Sequence, residues 1–205
     1  MQSPSQSIEK SVISRIYGRG RGSVFVPNAF LDLGSRGAVD LALFRLLKKG
    51  LLRRVDRGVY GYPEKSRLIG ELSPSPEVVA KAVARRGAQK LLPSGAYAAN
   101  LLGLTEQVPA KIEYLTDGPS RRVMIQKLPV VLKQTTPARL ATAGRVSGTV
   151  AQALRFLRKD QVDETVIEKL RARLSKADKE QLLRDIPLVP AWIGEAFRQV
   201  AGQKE

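Results

Sequence analysis

Apolar residues recur at helical spacing in some stretches of this chain and alternate or cluster between turn signals in others. Ile8, Val12, Ile13 and Ile16 predict a helix from Ile8 to about Tyr17, capped by Ser7 and preceded by a polar, frayed Met1–Gln6. Gly18, Gly20 and Gly22 alternate with Arg19 and Arg21, which ends that helix in a flexible basic loop. Residues 23–26 form a short β-prone run, and Pro27 opens a brief helix over 28–33 that Gly34 stops. Ser35 then caps a longer helix over 36–49, closed by Gly50 with lysines in its last turn. At the α-helical rise that segment is about 21 Å long, a size suited to a major groove. Two β-prone runs, 51–55 and 59–62, flank the turn Asp56-Arg57-Gly58 and read as a hairpin. Helix, strand, helix, helix, hairpin is the element order of a winged helix-turn-helix.

Residues 64–75 read as a junction ending in Ser73-Pro74-Ser75-Pro76, and Ser75 with Pro76 opens a helix to about Arg86. A short, small-residue-rich helix follows over 95–102. The period then changes to three β-prone segments, 111–116, 121–126 and 129–134, with Thr116-Asp117-Gly118-Pro119 as a turn between the first two. From Ser147 the pattern is helical again, near 147–158, 163–174, 175–184 and 190–200. The expected fold is α+β. A winged helix-turn-helix DNA-binding domain over 1–72 precedes a larger α+β domain over 73–205. In the latter, a small sheet at about 111–134 lies between helices within 76–102 and a helical region within 147–200.

Charge changes the picture most. In 205 residues, 35 Lys and Arg oppose 19 Asp and Glu, a formal net charge of +16. Residues 1–72 carry 13 basic and 6 acidic groups and residues 73–145 carry 11 and 4, whereas residues 146–205 carry 11 and 9. A solubility device needs no such asymmetry; a polyanionic partner rewards it, because neutralised phosphates release condensed counterions. The chain has no His, which removes imidazole as base, metal ligand or triad member and lowers the prior for enzymatic catalysis. It has no Cys, excluding disulfides and thiolate metal sites and fitting a reducing compartment. Aromatics at 5% predict an aliphatic core. No apolar run reaches a membrane span and the N-terminus lacks a signal-peptide pattern, so the expected location is the cytoplasm.

The candidate reader is the helix begun by Ser35. Val39, Ala42, Leu43 and Leu46 form one stripe for packing, while Arg36, Asp40, Arg45 and Lys48 lie off it with Ser35 at the start. Arginine can address guanine bidentately, and Lys or Ser can take phosphate. Leu41 and Phe44 also fall outside the stripe, where they touch thymine methyls, pack on the wing or face the second domain. Arg53, Arg54 and Arg57 arm the hairpin, either to address phosphate or a narrow minor groove or to protect an exposed edge. Arg19 and Arg21 lack the Gly-Lys-Ser/Thr of a P-loop and read as a basic loop beside a DNA backbone, or as plain linker. Arg121, Arg122, Lys127 and Lys133 could make a basic patch on the small sheet. Glu106, Glu113 and Asp117 lack metal-site spacing, and Asp117 is explained by its turn. No catalytic residue, metal or cofactor is assigned.

Two stretches carry a family resemblance. Val39-Asp40-Leu41-Ala42-Leu43-Phe44-Arg45-Leu46, continuing through Gly50–Tyr60 to Pro63, is similar to the helix-plus-wing signature of AbiEi-type antitoxins of type IV toxin–antitoxin and abortive phage-infection systems. Pro93–Leu104, with Tyr114-Leu115-Thr116-Asp117-Gly118 after it, resembles the second domain of the same group, and the likeness covers roughly residues 7–160. It implies a winged helix that represses its own operon at promoter inverted repeats. It also implies a second domain that counteracts a nucleotidyltransferase-like toxin without a stable complex, in a monomer or weak dimer. The alternatives are a winged-helix regulator with no toxin partner, and a metal-dependent nuclease.

Overall fold

A computed structural model describes residues 4–66, 68, 70–84 and 89–203; of residues 4–7 it describes the backbone alone. The chain is a mixed α+β protein in two compact units, one formed by residues 1–89 with 122–130 and the other by 90–121 with 131–205. The sequence-based boundary at residue 72 and this grouping differ by the segment 73–89 and by the returning hairpin tip. Among the described residues no helix is long and apolar enough to cross a membrane.

The first unit opens with α1 (Pro4–Arg19), which starts before the expected Ile8; Met1–Ser3 and the side chain of Ser7, the expected cap, lie outside the described residues. Strand β1 (Val24–Phe25) and a 3-10 turn (Pro27–Phe30) lead to α2 (Arg36–Lys48). Ser35 caps α2 as expected, its Oγ accepting from the Ala38 N–H. At the other end Gly50 takes a left-handed φ of +70°, and the Gly50 and Leu51 N–H groups donate back to Leu47 and Leu46 carbonyls. This is a Schellman closure, and it draws Leu51 and Leu52 out of the strand the sequence predicts there. The hairpin strands are accordingly β2 (Arg53–Asp56) and β3 (Val59–Gly61). With β1 they make an antiparallel sheet of order β1-β3-β2. Val12, Ile16, Phe25, Phe30, Val39, Ala42, Leu43, Leu46 and Leu52 form one buried core under α1, α2 and this sheet. At about 25 cal/mol per Å² of apolar surface removed from water, such a core is the main force holding α2 in place.

The expected junction contains a second hairpin, β4 (Glu64–Ser66) with β5 (Gly70–Leu72). Helix α3 (Pro76–Ala84) follows, its start capped by Ser75 Oγ; the expected end near Arg86 lies outside the described residues. Arg15 on α1 holds Asp32 through two bonds of 2.6 Å and pulls its carboxyl below the ordinary carboxylate range, chiefly by hydrogen bonding. A depressed carboxylate stabilises the fold above that range and loses its contribution on acidification. Asp32→Asn is therefore expected to lower the thermal midpoint at neutral pH, and by progressively less as the pH falls below the ordinary carboxylate range. An effect that does not shrink on acidification would refute the linkage.

In the second unit, β6 (Leu91–Ser94) pairs antiparallel with β7 (Ile112–Thr116). These two continue into β8 (Arg121–Ile125) and β9 (Leu128–Gln134) in the order β6-β7-β9-β8, and the β8–β9 hairpin is shared between the two units. Strand β6 stands at an edge, where Pro93 is tolerated. The helices are α4 (Gly95–Leu101), α5 (Val146–Leu157), α6 (Glu164–Arg173), α7 (Lys176–Arg184) and α8 (Ala191–Ala201). Asp163 caps α6, and Ser175 with Asp178 forms a capping box on α7. The core draws Ala98 and Ala99 from α4, Val150, Ala153 and Leu154 from α5, Ile167 and Leu170 from α6, and Phe197 from α8. Asp185, 2% exposed, takes Arg145 at 2.6 Å, Gln181 at 3.0 Å and the Ser147 hydroxyl, fixing the end of α7 to the start of α5.

Candidate nucleic-acid interface

Helix α2 has a buried and an open side. The packing stripe Val39, Ala42, Leu43 and Leu46 is at most 2% exposed, as the sequence predicts. The opposite side presents Gly37, Leu41, Phe44 and Lys48, which recur at intervals of four, three and four residues and are all exposed. Of the polar residues expected to read bases, Arg36, Asp40 and Arg45 flank this ridge and are engaged within the unit, and Lys48 lies on it. Arg36 is bonded to Asp40 at 2.8 Å and reaches Asn28 at 3.4 Å. Arg45 lies 3.6 Å from Glu9, a carboxylate of α1 that is 8% exposed and also pairs with Lys49. Lys48 sits over the Phe44 ring, 5.6 Å from its centroid.

The first hairpin turns on Gly58, whose φ of +69° suits glycine in a tight turn. Asp56 Oδ1 accepts from the Arg57 N–H at 2.6 Å and its Oδ2 accepts from the Met124 N–H at 2.8 Å, which locks the turn. All three hairpin arginines are exposed. Arg53 pairs with Glu71 at 3.2 Å, a hydrogen bond that depresses the carboxyl and raises the guanidinium. Arg54 and Arg57 have no ion pair among the described residues. Tyr60 packs on the core.

The Arg-Gly loop is held rather than flexible. Gly22 N–H donates to the Tyr62 carbonyl at 2.8 Å, Ser23 Oγ donates to the Gly20 carbonyl at 2.6 Å, and Arg21 donates to the Pro63 carbonyl at 3.1 Å. Arg21 stacks over Tyr62 and Arg19 over Phe25, at 5.0 and 5.4 Å from the ring centroids. Two left-handed glycines, Gly20 and Gly22, make this closure possible. Helix, ridge, hairpin and loop all belong to the first unit.

A family of unknown function (DUF6088) matches the chain over residues 11–182. The chain belongs to that family. No curated protein matches this DUF6088 member. The matched range takes in α2, its hairpin and the second unit as far as Leu182.

Elsewhere in the DUF6088 chain, the residues of the expected basic patch fall in both units. Arg122 and Lys127 lie in the hairpin tip that belongs to the first unit, and Arg121 and Lys133 lie in the second. Asp117 accepts the Lys90 N–H at 2.9 Å within its turn, and Glu113 pairs with Lys111. Among the described residues no three acidic side chains gather in a way that could hold a metal. Sequence reasoning missed the roles of Glu9 and Glu71, the carboxylates that tie Arg45, Lys49 and Arg53, and of Asp56, which ties the Met124 backbone. Each sits far along the chain from at least one of its partners, so no local spacing announces it.

Proposed function

We propose that the first unit is a winged-helix reader of duplex DNA and that the whole chain is an autoregulating repressor and AbiEi-like antitoxin. The reader is α2 together with the β2–β3 hairpin, built on the three-stranded β1-β3-β2 sheet. The observation that carries it is the exposed face of α2 on the same unit as Arg54 and Arg57, two exposed guanidiniums without a counter-charge among the described residues. Unpaired arginines on a ribbon beside an open helix suit phosphate and groove contact. The net charge of +16 supplies the long-range attraction. The antitoxin half rests on the likeness of Pro93–Leu104 and Tyr114–Gly118, with a nucleotidyltransferase-like toxin as functional partner, no stable complex between them, no catalysis and no cofactor.

Binding to the DNA upstream of the chain's own gene tests the reader, measured by gel shift at several salt concentrations against an unrelated duplex. The expected result is tighter binding to the upstream DNA, protection of inverted repeats, and a log–log salt slope of about −0.9 per phosphate contact. Equal affinity for both duplexes would remove the repressor reading. Co-expression with a neighbouring nucleotidyltransferase-like gene tests the second half. Failure to rescue growth would leave a DNA-binding regulator without a toxin partner.

A further inference from the structure

We propose that α2 reads the major groove chiefly through thymine methyl groups, with Leu41 and Phe44 as the specificity-determining side chains. The inference rests on the DNA-reading role of α2. Leu41 is 44% exposed and Phe44 is 53% exposed, although both belong to the helix that supplies much of the unit's core. They stand on the ridge opposite the buried stripe, and the ridge begins at Gly37, where a Cβ would meet nothing within 4 Å. The polar candidates for base reading are off-centre and occupied: Arg36 by Asp40 on one flank, Arg45 by Glu9 on the other. What the helix offers a groove at its centre is therefore apolar.

The major-groove edge of a base pair displays one apolar feature, the C5 methyl of thymine, and aromatic or aliphatic side chains are its usual contacts. The surroundings favour a duplex over a protein partner. Arg36, Arg45, Lys48 and Lys49 share the helix and its end with the two apolar side chains and outnumber their carboxylate partners Asp40 and Glu9, and Lys48 lies over Phe44. A second copy docking here by two-fold symmetry would press these cations against themselves. A duplex brings phosphates to the cations and methyls to the ridge at once.

The test begins with full-length chain selecting from a pool of duplexes carrying a random central segment. The enriched duplex is then synthesised with thymine and with deoxyuridine at every thymine position, and affinities are read by fluorescence anisotropy. Burial of two methyls at roughly fourfold each predicts about fifteenfold tighter binding of the thymine form by the wild type. The Leu41→Ala/Phe44→Ala double variant should bind both forms alike, and Phe44→Leu, which keeps apolar surface, should retain part of the preference. Equal wild-type affinity for the two forms would overturn the methyl reading while leaving DNA binding in place. A thymine preference that survives in the double variant would overturn the assignment to these residues. If Phe44→Ala instead converts a dimer to a monomer in sedimentation, the ridge is a self-interface and the proposal fails. If no duplex is enriched, the DNA-reading role falls and this inference falls with it.

Discussion

Replacing Arg54 and Arg57 together with alanine is expected to weaken duplex binding roughly sixty-fold at ~0.1 M salt and to leave it nearly unchanged close to 1 M. Each phosphate contact contributes about 0.9 to the log–log salt slope, so two lost contacts lower the slope by about 1.8. At ~0.1 M each lost contact is then worth roughly eightfold. Arg53→Ala should do less, because Arg53 must first give up Glu71 before it can meet a phosphate. Exposed pairs of that kind are worth at most about 1 kcal/mol, so the competition is mild and its sign can be read. Glu71→Gln frees Arg53 and should steepen the slope. The losses should be alike for specific and unrelated duplexes, since phosphate contacts position a protein without reading sequence. A double variant with wild-type slope and affinity would sink the hairpin assignment. A loss confined to one sequence would move these arginines from backbone contact to base reading.

The parts of this molecule that were legible in the sequence are those with local causes. The stripe of Val39, Ala42, Leu43 and Leu46, the Ser35 cap and the Gly50 stop together place α2 to within a residue. Gly58 places the turn of the first hairpin in the same way. Two strand pairs were not legible. In β4–β5 the pairs Lys65 with Glu71 and Ser66 with Gly70 carry no apolar alternation, so period-2 reasoning finds nothing. In β6 the Pro93 that looks like a breaker is accepted because the strand lies at an edge. The site divides along the same line. That Arg53, Arg54 and Arg57 arm a hairpin follows from the sequence. That Arg53 is tied and the other two are open depends on a carboxylate 18 residues from Arg53. Long-range pairing of charges has no period to betray it, and the same holds for Glu9, which comes from 40 residues before Lys49.

Gly148→Ala, third residue of α5, is expected to destabilise the fold by about 3 kcal/mol, although alanine is the better helix former. A Cβ there would stand 2.4 Å from the Thr142 carbonyl oxygen and 2.7 Å from Leu92 Cδ1. The nearer obstacle is backbone, and that carbonyl already accepts the Arg145 N–H at 3.2 Å, so it cannot turn aside without losing a bond. Leu92 is fully buried in a small cluster with Leu115 and Leu140, leaving its side chain little room. Either α5 moves away from β6 or the turn before α5 opens, and both disturb the seat of Ser147 and Arg145 on Asp185. The matched control is Gly37→Ala, second residue of α2, where no atom lies within 4 Å and φ is not in the left-handed region. There the helix-propensity gain of roughly 0.5–1 kcal/mol should appear unopposed. Thermal melts of the two variants should move in opposite directions, Gly148→Ala down by about 10 °C and Gly37→Ala up by a few degrees. If Gly148→Ala melts at or above the wild type, the close approach of α5 to the turn at Thr142 is not a constraint on this fold.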